Sequence, residues 1–505
     1  MQQTRFIYLL IISITLFSCR KDDIAPPLEN TQNEDLSGYT EVASINLGGL
    51  GAAEITAFDP ITDRLFAVNN GSENKIDVID IANPSAISVI KSISMAPYGG
   101  YVNSVAVSNG KLAAAIESTN KQASGKIVVF NTSNYVELKS INVGALPDMV
   151  TFSPDGKYIL SANEGEPSAD YLNDPEGSIS IIKVADYSVT TINFAAFESQ
   201  LSSLAAKGFR IFGPGKNFIK DIEPEYITVS DDSKTAYVTL QENNAIAEID
   251  IATATIKKIT PLGFKDYSLS SNAVDVSDKD NKIEFNTVSK VYGIYMPDAI
   301  AYFNYNGIPY LFTANEGDSR EYTAYTEMKR VNSITLDATA FPTATALKAD
   351  ASLGRLNITT TLGDADGDGD FDALYSLGAR SFSVWNANTG VQIFDSKNEL
   401  DIKAKELAIY DDARSDDKSV EPESVCIGRV GNKNIAIIGM ERADAFAIYD
   451  ITNPNSPVFI KMYKTGDAPE GLLFIPASKS PINQSLIVTS NENDGTVKIY
   501  KTTKL

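Results

Sequence analysis

From residue 39 onward the chain reads as short apolar runs separated by clusters of Gly, Pro, Asn, Asp and Ser. The runs alternate with period two, not with the 3.6-residue period of a surface helix, and so predict many short β-strands. One unit recurs among them. It opens with an acidic residue, usually after proline, and enters an apolar strand. It then turns and returns along a second apolar strand ending in Asn-Glu, Gln-Glu or a near variant. The clearest copy runs Pro147-Asp148-Met149-Val150, turns at Pro154-Asp155-Gly156-Lys157, and ends Tyr158-Ile159-Leu160-Ser161-Ala162-Asn163-Glu164. Others run from Pro224-Glu225 to Gln241-Glu242, Pro297-Asp298 to Asn315-Glu316, Pro422-Glu423 to Met440-Glu441, and Pro469-Glu470 to Asn491-Glu492. Weaker copies run from Glu54 to Asn69-Asn70 and from Asn103 to Glu117, which makes seven.

Each copy is followed by more strand, as at residues 177–184 and 189–194 after Glu164. The starts at Glu54, Asn103 and Asp148 are 49 and 45 residues apart. Four short strands in a period of roughly 40–50 residues is the signature of a propeller blade. The predicted fold is therefore all-β, a seven-bladed β-propeller of the YVTN/WD40-like kind over residues 39–505. A sandwich and an eight-bladed ring are the alternatives. After Glu470 only three strands remain, and residues 39–47 supply a fourth. That pairing closes the ring and removes exposed sheet edges. The widest gap, residues 320–415, predicts an insertion between the fifth and sixth blades.

The chain before residue 39 is of another kind. A single basic residue, Arg5, precedes an apolar run from Phe6 to Phe17, shorter than the roughly 20 residues that span a bilayer. Residues 1–18 read as a signal peptide. Leu16-Phe17-Ser18-Cys19 resembles the lipobox of bacterial lipoproteins, in which the cysteine becomes the lipidated first residue. An ordinary signal peptide with an incidental cysteine is the alternative. Arg20-Lys21-Asp22-Asp23 resembles a surface-export signal, or simply begins a solvated linker. Residues 19–38 read as a flexible acidic tether. The expected place is the outer membrane, lipid-anchored and surface-exposed, with a monomer as the expected state.

Composition then prunes the chemistry. Formal net charge is −22, and −22 − 1 = −23 once Arg5 leaves with the signal. Such a surface repels nucleic acid and anionic membranes, so membrane contact is left to the anchor alone, and cations or a basic partner are the compatible company. The chain contains no histidine, which excludes Ser-His-Asp and Cys-His catalysis and His-ligated zinc or haem. Cys426, in an apolar strand pattern, stands alone beside a lipidated Cys19 and reads as a buried inert thiol. Any metal must be held by oxygens, which favours calcium (Ca2+), Mg2+ or Mn2+.

The repeat supplies those oxygens. In an antiparallel hairpin, residues equidistant from the turn are neighbours. Asp148 therefore sits with Glu164, Glu225 with Glu242, Asp298 with Glu316, Glu423 with Glu441, and Glu470 with Glu492. All five pairs fall at the same end of their blades and are expected to ring one mouth of the central channel. Crowded carboxylates repel one another, and a bound cation is the simplest compensation. The competing reading makes each acid a local cap or a link to the next blade. Arg320 and Arg442 lie near these ends and fit internal pairing with the acids better than phosphate capture.

The sharpest single motif is Asp364-Ala365-Asp366-Gly367-Asp368-Gly369-Asp370-Phe371-Asp372. Alternate aspartates on a glycine-bent loop gather oxygens about a point, as calcium requires. The run matches the opening of an EF-hand loop but has Tyr375 at the twelfth position, and no helix–loop–helix surrounds it. A calcium loop of another kind, with Asp364, Asp366, Asp368, Asp370 and Asp372 as ligands, is the expectation. Trp385, the only tryptophan, reads as core. Residues 207–215, basic and aromatic, read as a loop packed over the third blade, with contact to an anionic ligand as the alternative.

Several of these motifs together resemble the choice-of-anchor I domain family. They are Leu146-Pro147-Asp148 with residues 153–158, Ala162-Asn163-Glu164-Gly165-Glu166-Pro167-Ser168, and Ala314-Asn315-Glu316-Gly317-Asp318-Ser319-Arg320. The Asp364–Asp372 run with Gly378-Ala379-Arg380-Ser381-Phe382, and Glu421-Pro422-Glu423-Ser424-Val425, complete the set. The family takes in mesenchyme-specific cell-surface glycoproteins and bacterial surface propellers with alkaline-phosphatase-like names. The resemblance implies an extracellular β-propeller attached by one of several anchors, and it implies no catalytic set. Two functions compete, with a scaffold whose acids only knit the blades as a weaker third. One is a surface binding protein whose acidic mouth meets a cation, mineral or extracellular protein. The other is a calcium-dependent phosphoesterase, with Asp148, Glu164, Asp298, Glu316, Glu423 and Glu470 on metal and Arg320, Arg380 or Arg442 on phosphate.

Overall fold

In the computed structural model, residues 34–505 are described; the expected signal segment 1–18, Cys19 and the expected tether up to residue 33 lie outside them. Seven four-stranded antiparallel sheets follow one another along the chain. Six are built from consecutive segments in the order first to fourth strand, except where an insertion intervenes. The first strands are Thr56–Asp59, Val102–Ser108, Pro147–Phe152, Pro224–Val229, Ile300–Tyr305, Pro422–Val430 and Pro469–Ile475. Each packs beside the first strand of the next sheet, and Pro469–Ile475 packs beside Thr56–Asp59. In the last sheet Thr496–Lys504 pairs with Glu34–Asn46, so the N-terminal segment supplies the outermost strand.

Burial grades outward along each sheet, and the sequence pattern follows it. The second strands are covered on both faces and read as near-continuous small or apolar runs, such as Lys111–Ile116 and Leu486–Asn491. The fourth strands face water on one side, as in Ser88–Ser94, where only Ile93 is buried. The hairpin of the third sheet shows the turn chemistry. Asp155 Oδ1 accepts from Ser153 Oγ at 2.7 Å and from the Lys157 N–H at 3.1 Å, and Gly156 takes φ +69°.

The described strand begins at Glu34, five residues before the expected boundary. Glu34 is buried, and its carboxylate accepts from the Ser485 N–H and Oγ, both at 2.7 Å, and from Thr502 Oγ1 at 2.8 Å. Residues 34–38, expected in the tether, thus belong to the sheet. The large insertion is also displaced from its expected place. Residues 315–381 leave the fifth sheet between its second strand, Ile308–Ala314, and its third, Phe382–Asn386. Most of the insertion therefore lies inside that sheet, and only residues 396–421 fall between the fifth and sixth. Its strand Leu374–Leu377 pairs in parallel with Val291–Ile294.

Trp385 is core, with its indole N–H donating to Thr313 Oγ1 at 3.0 Å. Residues 207–215 are a packed loop. Phe212 is stacked between the guanidinium carbons of Arg210 and Arg320, 4.1 and 4.6 Å from its ring centre, and Arg210 is ion-paired with Glu327. Cys426 is half-buried rather than fully so, and desolvation pushes its thiol up to about 12, which keeps it unreactive.

Candidate functional site: an acid-lined axial cavity

The first strands of six of the seven sheets line one cavity of about 580 Å³, and the fifth repeat reaches it through Asp298, just ahead of its first strand. Its acidic end is made by the recurring Pro-acid and Asn-Glu positions, and the backbone explains why those residues recur. In four sheets the residue before the proline is left-handed without being glycine: Leu146 (φ 47°), Met296 (φ 42°), Glu421 (φ 54°) and Ala468 (φ 56°). Each costs on the order of 1 kcal/mol relative to an ordinary conformation. In three of them the strained residue's carbonyl accepts the N–H of the acid that ends the second strand: Glu164 to Leu146 at 2.9 Å, Glu441 to Glu421 at 3.0 Å, and Glu492 to Ala468 at 2.8 Å.

Next to the proline the register slips. Pro147 pairs with Asn163 but Val150 with Ser161, so Asp148 and Met149 share one opposing residue. The same slip brackets Glu225, Glu423 and Glu470. A bulge re-aims a side chain, here turning the acid into the cavity. The asparagine of Asn-Glu is structural. Asn163 Nδ2 donates to Ser180 Oγ at 3.1 Å, and Asn315 Nδ2 to Ser383 Oγ at 2.9 Å, which ties the second strand's end to the third strand.

Two carboxylate triads result, each spanning adjacent sheets. Oxygens of Asp148, Glu164 and Glu225 lie within 4.8 Å of one another, and so do those of Asp298, Glu316 and Glu423. Glu242, Glu441 and Glu470 line the same cavity without joining a triad. Glu492 sits near Glu470, its hairpin partner, and near Glu54 of the first repeat, which makes a third acidic group. Burial, then neighbouring carboxylates, raise these acids. Asp148 goes to about 6, Glu441 to about 7 and Glu54 to about 8. Glu164, Glu225, Glu242, Asp298, Glu423 and Glu470 go well above the ordinary range for the same reasons. The buried oxygens Glu242 Oε2, Glu423 Oε2 and Glu470 Oε2 have no hydrogen-bond partner among the described residues. Local capping therefore does not satisfy them.

Sequence reasoning missed several members of this cavity: Glu166, Glu223, Asp318, Lys418 and Glu421. Glu-Pro-Glu at 223–225 and 421–423, with Glu-Gly-Glu at 164–166 and Glu-Gly-Asp at 316–318, is the signal that marks four of them, an acid two residues from a glutamate of a triad. Lys418 carries no such signal. Its Nζ lies 2.5 Å from Glu421, 2.9 Å from Glu316 and 4.0 Å from Asp318. Burial works to raise Glu421, but Lys418 and Arg414 outweigh it and hold it below the ordinary value.

The candidate anion holders fare differently. Arg320 is buried and ion-paired with Asp221 and, at 3.0 Å, with Glu223. Arg380 is buried away from the cavity and donates to the backbone carbonyls of Asp275, Ser415 and Asp417 at 2.6–2.8 Å. Neither guanidinium faces the triads. Arg442 lines the mouth but is paired with Glu441 at 2.8 Å and Glu421 at 3.4 Å.

In the exposed 364–372 loop, Asp364, Asp366 and Asp372 converge within 4.8 Å, while Asp368 and Asp370 do not join them. The Asp364 carboxylate also accepts from the Gly367 N–H at 2.7 Å and the Gly369 N–H at 3.1 Å, so part of its capacity goes to shaping the loop.

Successive four-stranded sheets whose first strands surround an axial cavity define a β-propeller, here one with an acid-lined mouth. A family model described as choice-of-anchor I domain matches residues 54–454, and the chain belongs to that family. It is 29% identical to Gigasin-3a of Magallana gigas over 31% of this chain and 66% of that protein. It is 24% identical to a mesenchyme-specific cell surface glycoprotein of Strongylocentrotus purpuratus over 55% of this chain and 42% of the relative. The chain thus spans less than two thirds of the length of each. Among solved structures, hydrazine synthase of Kuenenia stuttgartiensis shares the fold at a TM-score of 0.50 and 13% identity, over 90% of this chain and 97% of that one. No helix among the described residues is long and apolar enough to cross a membrane.

Proposed function

We propose that this protein is a calcium-binding propeller of the cell surface whose acidic mouth holds divalent cations and, with them, presents a site to a mineral, an extracellular protein or another ligand. In this reading the seven sheets are seven blades closed into a ring by the N-terminal strand, and the chain is held to the outer membrane by lipid at Cys19. The observation that carries the cation is the convergence of carboxylates from adjacent sheets within 4.8 Å, next to buried oxygens without partners. Like charges so placed need a counter-charge. All-oxygen donors from several flexible carboxylates suit calcium best among the hard cations. The relatives' names, one of them a cell surface glycoprotein, support the surface placement.

The test is metal analysis of the purified protein together with melting temperature in calcium and in chelator. Bound calcium and a calcium-raised melting temperature are expected; metal-free protein that calcium does not stabilise would overturn the reading. The phosphoesterase alternative needs cationic groups free to hold phosphate beside the metals. Lys418 and Arg442, the basic residues lining the cavity among those described, are already paired with carboxylates, which favours binding over turnover. Chelator-sensitive hydrolysis of a generic phosphoester would reverse that preference.

A further inference from the structure

The two triads occupy equivalent places two repeats apart, on the third and fifth sheets, yet their surroundings differ. Glu316 is engaged on both oxygens: Lys418 Nζ reaches Oε1 at 2.9 Å, and Gln241 Nε2 donates to Oε2 at 2.7 Å. Lys418 is itself fixed by Glu421 at 2.5 Å, and Glu421 also binds Arg414 at 2.9 Å. The Asp148, Glu164 and Glu225 carboxylates make no ion pair among the described residues. The cations nearest that side are committed elsewhere, Lys121 to Glu166 at 2.8 Å and Arg320 to Asp221 and Glu223. Beside this triad, Glu242 is 5% exposed, lines the cavity, repels Glu164 and Glu225, and has an unpartnered Oε2; in the other triad Glu423 Oε2 is also unpartnered, but the ammonium of Lys418 is held on Glu316 next to it.

We propose that the triads are unequal: Asp148, Glu164 and Glu225, backed by Glu242, form the site that takes a divalent cation from solution, and Lys418 is a tethered ammonium that holds the Asp298, Glu316 and Glu423 site closed to a second ion. This rests on reading the mouth as a cation site. An ammonium on a flexible stem is a compact point charge that satisfies carboxylates without metal geometry. A second ion entering the closed site must displace it against both Glu316 and Glu421.

Equilibrium dialysis with calcium counts the ions bound by the full chain and by three variants. E164Q should bind one ion fewer than wild type, its site weakened about 100-fold or more, since even outer partners of a metal cost up to that factor. E316Q should bind the same number as wild type, and K418M one more. The two Glu→Gln changes are isosteric, so the result stands even if K418M folds poorly. Loss of an ion from E316Q but not from E164Q, or an unchanged count in folded K418M, would overturn this inference and leave the cation reading standing. An unchanged count in all three variants would overturn the cation reading itself.

Discussion

Raising the pH in the presence of chelator should destabilise this protein, and calcium should abolish the effect. Asp148 is raised to about 6 by burial and by Glu166, against roughly 3.9 in an unfolded chain. A group whose folded value is raised contributes stability that is fully present below its unfolded value and is lost as pH climbs through the folded one. A shift of about two units at about 1.4 kcal/mol each makes the loss on the order of 3 kcal/mol for Asp148 alone. Glu441 at about 7 and Glu54 at about 8 act in the same direction. Groups that act oppositely, among them Asp155, Asp250 and Asp278 at about 2, titrate well below this window. About two thirds of the Asp148 loss, roughly 2 kcal/mol, falls between about pH 4.5 and about pH 8. For a domain of this size 1 kcal/mol moves the melting temperature by roughly 1–2 °C, so Asp148 predicts a fall of about 2–4 °C over that window. Scanning calorimetry in chelator reads it directly. A millimolar excess of calcium should flatten the curve, because the bound ion replaces the proton as counter-charge. A melting temperature in chelator that stays level or rises across that window would refute the electrostatic account of the mouth.

Other outcomes are expected from single changes. Asn163→Ala removes a buried amide that joins two strands through Ser178 and Ser180 and should cost about 1–3 kcal/mol in urea unfolding, with calcium binding retained. Arg320→Ala strips the partner from buried Asp221 and Glu223 and should cost about 3–5 kcal/mol by the same measurement. Asp364→Asn with Asp366→Asn should change the melting temperature in chelator by less than about 1 °C, since the loop is exposed, while removing any calcium-dependent protection of residues 364–372 from proteolysis.

Much of the fold was legible because a recurring acid and a recurring Asn-Glu, or near variants of them, mark the ends of the inner hairpins. The seven copies starting at Glu54, Asn103, Asp148, Glu225, Asp298, Glu423 and Glu470 coincide with the first two strands of the seven sheets. The insertion was misplaced because Phe382–Asn386 is short and lies far along the chain from the strand it joins. Spacing alone could not return it to the fifth sheet. The hairpin argument brought Asp148 to Glu164 and Asp298 to Glu316, but the third member of each triad comes from the next sheet, a neighbour no local pattern reveals. Lys418 was invisible for the same reason, since it reaches Glu316 from a segment about a hundred residues away. Internal pairing was the favoured reading of Arg320, but its partners Asp221 and Glu223, like the backbone carbonyls that hold Arg380, are set by tertiary packing and are marked by no local pattern.

The strand Glu34–Asn46 runs antiparallel to Thr496–Lys504, and its first residue is clamped by Ser485 and Thr502. For a chain anchored upstream of residue 34, drag on the body would load this strand lengthwise. Antiparallel rungs pulled that way share the force and must fail together instead of unzipping one at a time. The segment that completes the last sheet would then double as the mechanical coupling between a tethered molecule and whatever it holds.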